Sequence, residues 1–390
     1  MYINIATNDL KRVMSFIDCF TKLVTFRRYI RFSVNYHETF QTIYQIIMTE
    51  TPKWKDGTYR MSSLNHVLFK VVGESCKAEP LSGTMDDSFS LGTWKYGDFG
   101  EAHPDVAKAA GKTTYNVDMN LWGGMWKCKG IVSEDGLKIT VFSITNEVGH
   151  FEWMSEEEYV AFMNNADPAD APPSHYKLQP EFQGKLIWVT GAPGLGKSTS
   201  GLYLSKMAGY VYYEADAWGM NVNPYIPPDV EEPSLATCKQ KPLRGVPQER
   251  LDAIDKGIKD FMAMIEGKDF EQKSLENFYA SMCKDILTEK KRMGGDWVVA
   301  QAVPSRALRD HIRSQLGPEL IFVVLSMPKE DQKARLIQRH GEESGFLEHL
   351  EKMDIWEPAE SDEERTIDLQ LTKDMDRKEV AQKILDMIPQ

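Results

Sequence analysis

The chain has 390 residues, longer than a single hydrophobic core usually grows, and two domains are the default at that length. A hydrophobic fraction of 42% with 27% charged residues is that of an ordinary globular protein and excludes disorder as the dominant state. Lys and Arg number 46 against 58 Asp and Glu, a net charge of -12, so no nucleic-acid partner is expected, although a local basic pocket for phosphates stays compatible.

Taken in chain order, residues 1–55 read as an N-terminal extension with helical patterning at 8–21 and 36–48 and no readable role. Asp18 and Lys22 interrupt its most apolar part, so it lacks a secretory pattern. No run in the chain approaches the roughly 20 apolar residues of a membrane helix, and no membrane partner is expected. The five cysteines (Cys19, Cys76, Cys128, Cys238, Cys283) are scattered and odd in number, neither a disulfide framework nor a zinc signature. A reducing, cytoplasmic location is expected.

Residues 56–164 are β-rich. The runs 67–72 and 138–144 are dense in β-branched and aromatic side chains, and Gly123-Gly124 and Glu134-Asp135-Gly136 sit between such runs as hairpin turns would. A small antiparallel sheet or barrel is predicted. Its tryptophans (Trp94, Trp122, Trp126, Trp153) fit either a β core or an aromatic-lined pocket. The adjacent acids Asp86-Asp87 and Glu156-Glu157-Glu158 read as solvated faces. A polar, Pro-rich stretch then marks an interdomain linker over 165–183, carrying Pro168, Pro172 and Pro173.

From residue 184 onward strands and helices alternate. Strands are predicted at 186–190, 210–213, 297–303, 320–325 and 366–371, and helices at 197–207, 305–316, 329–339 and 377–387. Such alternation specifies an α/β domain, a parallel sheet covered by helices on both faces. The segment 252–291 reads as amphipathic helix.

One motif decides the chemistry of this half. Gly191-Ala192-Pro193-Gly194-Leu195-Gly196-Lys197-Ser198 fits G-x-x-x-x-G-K-[ST], straight after a buried strand and opening a helix. The glycines let the backbone N–H groups point inward as an anion cradle at the positive end of the helix. Lys197 is placed for the outer phosphates and the Ser198 hydroxyl for Mg2+, with Thr199 next in the loop's binding set. The ligand this implies is a nucleoside triphosphate. A GTPase would carry N-K-x-D after a later strand, where this chain reads Thr372-Lys373-Asp374-Met375; the roughly 200 residues after the linker also fall short of a motor or AAA-type ATPase. On the second strand, Tyr213-Glu214-Ala215-Asp216 sets two carboxylates at alternate positions, predicted to face the ligand crevice where the ends of adjacent strands converge.

These pieces together resemble the gluconokinase and shikimate kinase group of P-loop kinases, gluconokinase most of all, over residues 184–388. The likeness is carried by the loop, the acid-x-Asp strand end, Leu243 leading to Glu249-Arg250-Leu251, the strand from Val298 into Ser305-Arg306-Ala307-Leu308-Arg309-Asp310, and Arg335-Leu336-Ile337-Gln338-Arg339 before Trp356-Glu357-Pro358. Residues 252–291 are longer than the group's usual connection, and residues before the linker have no counterpart in it. The resemblance implies a P-loop kinase with ATP and Mg2+ as cofactors and a small-molecule acceptor, a sugar acid or polyol. Lys197 would hold phosphates, and Ser198 and Glu214 the metal. Asp216 would orient and deprotonate the acceptor hydroxyl, Arg250 would bind the acceptor, and Arg335 and Arg339 would close over the transferring group. Two other readings stay open: a nucleoside or nucleotide kinase with a base pocket from Phe261, Phe270, Phe278 and Tyr279, and a nucleotide-dependent regulatory protein.

Overall fold

The computed structural model describes residues 53–61, 64–73, 75–80, 94–121, 126–143, 146–165, 167–168, 173, 175–231, 243–340 and 355–389. The chain divides into two units, Met1–Thr51 and Pro52–Gln390. The helices expected at 8–21 and 36–48, the turn at Gly123-Gly124 and the acids Asp86-Asp87 lie outside the described residues.

The first half of the larger unit is an eight-stranded antiparallel meander: β1 (Gly57–Met61), β2 (Leu64–Val72), β3 (Ser75–Pro80), β4 (Trp94–Tyr96), helix α1 (Pro104–Ala110), β5 (Val117–Leu121), β6 (Trp126–Val132), β7 (Lys138–Ser143) and β8 (Asn146–Met154). The ladder order is β3-β2-β1-β8-β7-β6-β5-β4, so β8 pairs with β1 and the sheet curls strongly, as the sequence reading of a sheet or barrel anticipates. Alternation does the sorting. Ile139 and Val141 point inward with Tyr59, Phe69, Trp94 and Phe151, all essentially inaccessible, while Phe142 turns outward under Val106 of α1. Trp94 is thus core; Trp153 packs beside it half-buried, and the Trp122 and Trp126 side chains lie outside the described residues. Helix α2 (Glu156–Asn164) carries Glu156, Glu157 and Glu158 in its first turn, where carboxylates complement the helix dipole.

The Pro-rich stretch is not entirely irregular: β9 (Asp167–Pro168) pairs in parallel with β12 (Leu243–Arg244), a two-residue contact short enough to tolerate a proline that donates nothing. Farther along, the Tyr176 phenol donates to Ile226 O (2.6 Å) and accepts from Tyr212 N (3.0 Å).

The second half alternates as predicted. Its elements are β10 (Leu186–Gly191), α3 (Lys197–Ala208), β11 (Val211–Glu214), α4 (Ala215–Gly219), then past β12 the helices α5 (Gln248–Ile265) and α6 (Gln272–Met293), β13 (Trp297–Ala300), α7 (Arg306–Leu316), β14 (Leu320–Ser326), α8 (Lys329–His340), β15 (Thr366–Gln370) and α9 (Arg377–Met387). The single amphipathic helix expected over 252–291 is two helices, broken at Gly267, whose φ of 68° a helix cannot carry. The expected strand at 297–303 ends at Ala300, because residues 301–303 leave β11 and bond to β10 instead.

The five strands run parallel in the order β11-β13-β10-β14-β15. Central β10 is buried on both faces: Trp188 packs with Tyr279 and Phe322 on one side, Ile187 and Val189 with Val323 and Leu202 on the other. Edge strand β11 does not stand open. Glu214 N donates to Pro224 O (2.7 Å), Ile226 N to Tyr212 O (3.2 Å), and the Tyr176 phenol takes the Tyr212 N–H.

Candidate functional site: the loop after the central strand

β10 lies between β13 and β14, and the chain leaves it toward β11 on one side before returning to β14 on the other. The carboxyl ends of β10 and β13 therefore flank a topological switch point, where open α/β sheets bind ligands. The glycine loop sits there. Leu195 and Ala192 are buried in the core beneath it, anchoring a turn whose remaining residues stay half-exposed.

Two glycines are required by close approach. Gly191 has φ 138°, and a Cβ on it would lie 2.5 Å from Leu325 O; at Gly194, φ 81°, it would lie 2.9 Å from the Leu336 side chain. Gly196 is the N-cap of α3 in the left-handed region and brings no side chain to the first-turn N–H groups, which suits them to an anion. Gln332 on α8 donates to Pro193 O (2.7 Å) and pins the loop from above. Replacing Gly191 with alanine should cost about 1–3 kcal/mol from backbone strain and the clash, read as a lower chemical-denaturation midpoint. A midpoint equal to wild type would contradict this packing.

Lys197, Ser198 and Thr199 open α3 and are half-buried. The Lys197 ammonium donates to Ala192 O (3.1 Å), folded back over the loop. Across from it stand the two acids, but not for the reason the alternation suggests. β11 ends at Glu214, and Asp216 belongs to α4, so the two are joined by capping: Glu214 is the N-cap of α4, and its carboxylate accepts from Asp216 N (3.4 Å). Nor are their strands neighbours. β13 intervenes between β10 and β11, and the gap is bridged by Ser198, whose hydroxyl lies against Glu214 and the Tyr212 phenol.

Electrostatics distinguish the two carboxylates. Glu214 is 3% exposed, and burial first, then the neighbouring Asp216 charge, pushes its carboxyl well above the usual range. Asp216 is crowded by protein, which raises it too, while the Lys197 charge pulls it back. Its side chain nonetheless opens to solvent, so water tempers that desolvation and the stronger shift belongs to Glu214.

The remaining predicted residues lie on or between α5, α6 and α8. Arg250, on α5, is 11% exposed, pairs with Asp285 on α6 (3.1 Å) and lies over the Trp218 ring (4.9 Å), whose indole N–H also donates to Asp285 (2.8 Å). Its Nε and Nη2 are buried without a hydrogen-bond partner. Arg335, on α8, is turned to Thr372 O (3.1 Å) past the end of β15 rather than over the loop. Arg339 is in the same helix, its side chain outside the described residues. Phe278 and Tyr279 are buried against Trp218 and Trp188, so these two aromatics form core and line no base pocket. Phe261 is partly buried in the same packing and Phe270 is exposed.

Sequence reasoning missed Tyr212. It is wholly buried, and its phenol donates a short hydrogen bond to Glu214 Oε2. The signal was available, since residues two apart on a strand share a face.

No family model matches the sequence, and no curated protein matches it. Among solved structures, a sugar kinase from Janibacter matches with 18% identity over 52% of this chain and 92% of its own, at a TM-score of 0.35. A gluconokinase from Sinorhizobium meliloti matches with 20% identity over 53% of this chain and 91% of its own, at a TM-score of 0.33. An APS kinase from Mycobacterium tuberculosis, solved in complex with AMPPNP and APS, matches with 15% identity over 53% and 97%, at a TM-score of 0.31. Among the described residues no helix is long and apolar enough to cross a membrane.

Proposed function

We propose that this chain is a kinase that moves the terminal phosphoryl group of ATP to a hydroxyl of a small polar metabolite, a sugar acid or a polyol. One observation carries the reading: Lys197 and Ser198, at the start of a helix with no side-chain cap beyond a glycine loop, lie beside a close pair of carboxylates, Ser198 against Glu214 and the Lys197 charge acting on Asp216. The loop amides and Lys197 hold the phosphates. Asp216, the solvent-open acid, orients the acceptor hydroxyl and takes its proton. Arg335 and Arg339 swing from α8 over the transferring group, which requires Arg335 to leave Thr372 O.

The donor set suits Mg2+. That ion binds one or two carboxylates and takes its other oxygens from water and substrate phosphates. Ser198 and buried Glu214 supply such a partial set, and among the described residues no cluster of three or more His, Cys, Asp or Glu is placed to hold a metal alone. Mg2+ would neutralise charge on the phosphate oxygens; the residues' part is to position it. Arg250 is the cation assigned to an anionic or hydroxyl-rich acceptor, held in place by Asp285 and the Trp218 ring.

In the same reading, residues 184–390 form the kinase domain, 165–183 the linker and 56–164 a separate β-rich domain. The location is cytoplasmic: Cys128 and Cys283 are free, buried, and their thiols are pushed up to about 12 by burial, as suits unreactive core cysteines. The test is Mg2+-dependent ADP release measured across sugar acids, polyols and nucleosides. Stimulation by one acceptor class is expected; a full-length protein without affinity for magnesium-nucleotide overturns the proposal.

A further inference from the structure

Tyr212 occupies the space beneath the proposed metal position. Its side chain is wholly buried between β11 and α3, and the ring lies so close to α3 that a Cβ on Gly201 would meet it at 2.6 Å. The backbone is fixed as firmly as the ring. The Tyr212 N–H is taken by the Tyr176 phenol at 3.0 Å, and its carbonyl accepts from Ile226 N at 3.2 Å. From this fixed base the phenol donates to Glu214 Oε2, and the Ser198 hydroxyl lies against the same phenol. Glu214 Oε1 is meanwhile engaged by Asp216 N.

We infer that Tyr212 is a positioning residue: through one phenol it sets both Glu214 and Ser198, the two side chains that would hold the divalent cation, with Gly201 leaving room for its ring. This rests on the kinase reading. Glu214 is a long side chain with free rotation about three bonds, and its burial alone does not select a rotamer. A donor at Oε2 and another at Oε1 select one, leaving the outer lone pairs to meet a cation. The phenol is the one of these two donors that also reaches Ser198. It couples the orientation of a group on α3 to that of a group on β11, two elements whose strands are not neighbours in the sheet. Groups that orient a metal's ligands typically contribute about 10- to 100-fold to metal affinity.

The experiment uses the full chain and measures AMPPNP affinity calorimetrically as Mg2+ is raised, for wild type, Tyr212→Phe, Glu214→Gln and the double variant. Phenylalanine keeps the ring against Gly201 and removes only the hydroxyl. Tyr212→Phe should bind AMPPNP without metal as wild type does, since the loop amides and Lys197 are untouched. The Mg2+ concentration giving half the metal-dependent gain should rise about tenfold. In the Glu214→Gln background the further Tyr212→Phe change should add less than twofold, because the phenol acts mainly through that carboxylate. An unchanged Mg2+ requirement in Tyr212→Phe, or equal effects in both backgrounds, overturns the inference while leaving the kinase reading standing. Should Tyr212→Phe fail to fold, Gly201→Ala supplies the same readout, with a raised Mg2+ requirement expected and an unchanged one overturning the inference. Wild type that binds no AMPPNP at any Mg2+ concentration overturns both.

Discussion

Replacing Lys197 with alanine should lower kcat for ATP turnover by about 10²–10³-fold, equivalent to about 3–4 kcal/mol of lost transition-state stabilisation. The magnitude follows from where the ammonium sits. It is the first residue of α3, half-buried, and donates to Ala192 O over the loop. A triphosphate entering the loop would exchange that carbonyl for phosphate oxygens whose charge grows as the phosphoryl group leaves. An interaction that strengthens in the transition state appears in kcat, whereas the backbone amides, which survive the substitution, account for most ground-state affinity. KM for ATP should therefore rise less than kcat falls. Alanine is the best helix former and carries no polar group, so α3 and the melting midpoint should be preserved. Steady-state kinetics on the most active acceptor, with a thermal melt alongside, checks both halves. A kcat within about threefold of wild type would remove Lys197 from the mechanism.

The loop was readable because everything that makes it is local. The run at 186–190, apolar up to Thr190, specifies a strand buried on both faces, and the glycine spacing then fixes the turn within six residues. Sheet order is different in kind. Nothing between Tyr213 and Trp297 announces that β13 will insert between β10 and β11, because that depends on which faces pack after α5 and α6 are in place. The acids show the same division. Their neighbourhood in sequence guaranteed proximity, but the cause is the cap that Glu214 makes on α4, not strand alternation, which ends at Glu214, before Asp216. Alternation does relate Tyr212 to Glu214, and there it was overlooked, since a tyrosine in an apolar strand reads as core. Arg250 was legible as a candidate, yet its tie to Asp285 and Trp218 joins three elements and has no sequence signature. Arg335 and Arg339 share a helix as their spacing requires, but the direction that Arg335 takes is set by a carbonyl, Thr372 O, beyond the end of β15.

Arg309, on α7, finds its partner 54 residues away, in Glu363. Converting it to methionine should destabilise the protein by about 3–5 kcal/mol, the largest single-residue stability effect expected of this chain. The guanidinium and the Glu363 carboxylate are both fully inaccessible and meet in a two-point contact, Nε to Oε1 at 2.7 Å and Nη2 to Oε2 at 2.8 Å. The fork also donates to Glu357 O (3.2 Å) and Pro358 O (3.1 Å), so one side chain ties the segment before β15 to α7. Methionine fills much of the volume but takes from a buried carboxylate its two charged hydrogen bonds, and from two carbonyls the Arg309 donors. Arg306, three residues earlier, grips Glu360 and Asp362 in the open, and Arg306→Ala should shift the denaturation midpoint little because water replaces its contacts. The pH dependence separates the two further. Burial would raise Glu363, but the Arg309 hydrogen bonds override it and hold the carboxyl below its ordinary value of 4.5. In wild type the pair's contribution is therefore complete above that ordinary value and lost only as pH falls through the lower folded-state value. Without Arg309 only the Glu360 N–H, the Thr366 side chain and Arg313 at 3.8 Å still oppose burial, so the carboxyl should rise and the variant gain relative stability as acid neutralises it. Chemical denaturation at pH 7 and pH 5 should show the Arg309→Met deficit narrowing toward the acid side. A deficit no larger than that of Arg306→Ala, or one that widens on acidification, would mean that the buried pair does not hold the β15 edge of the sheet in place.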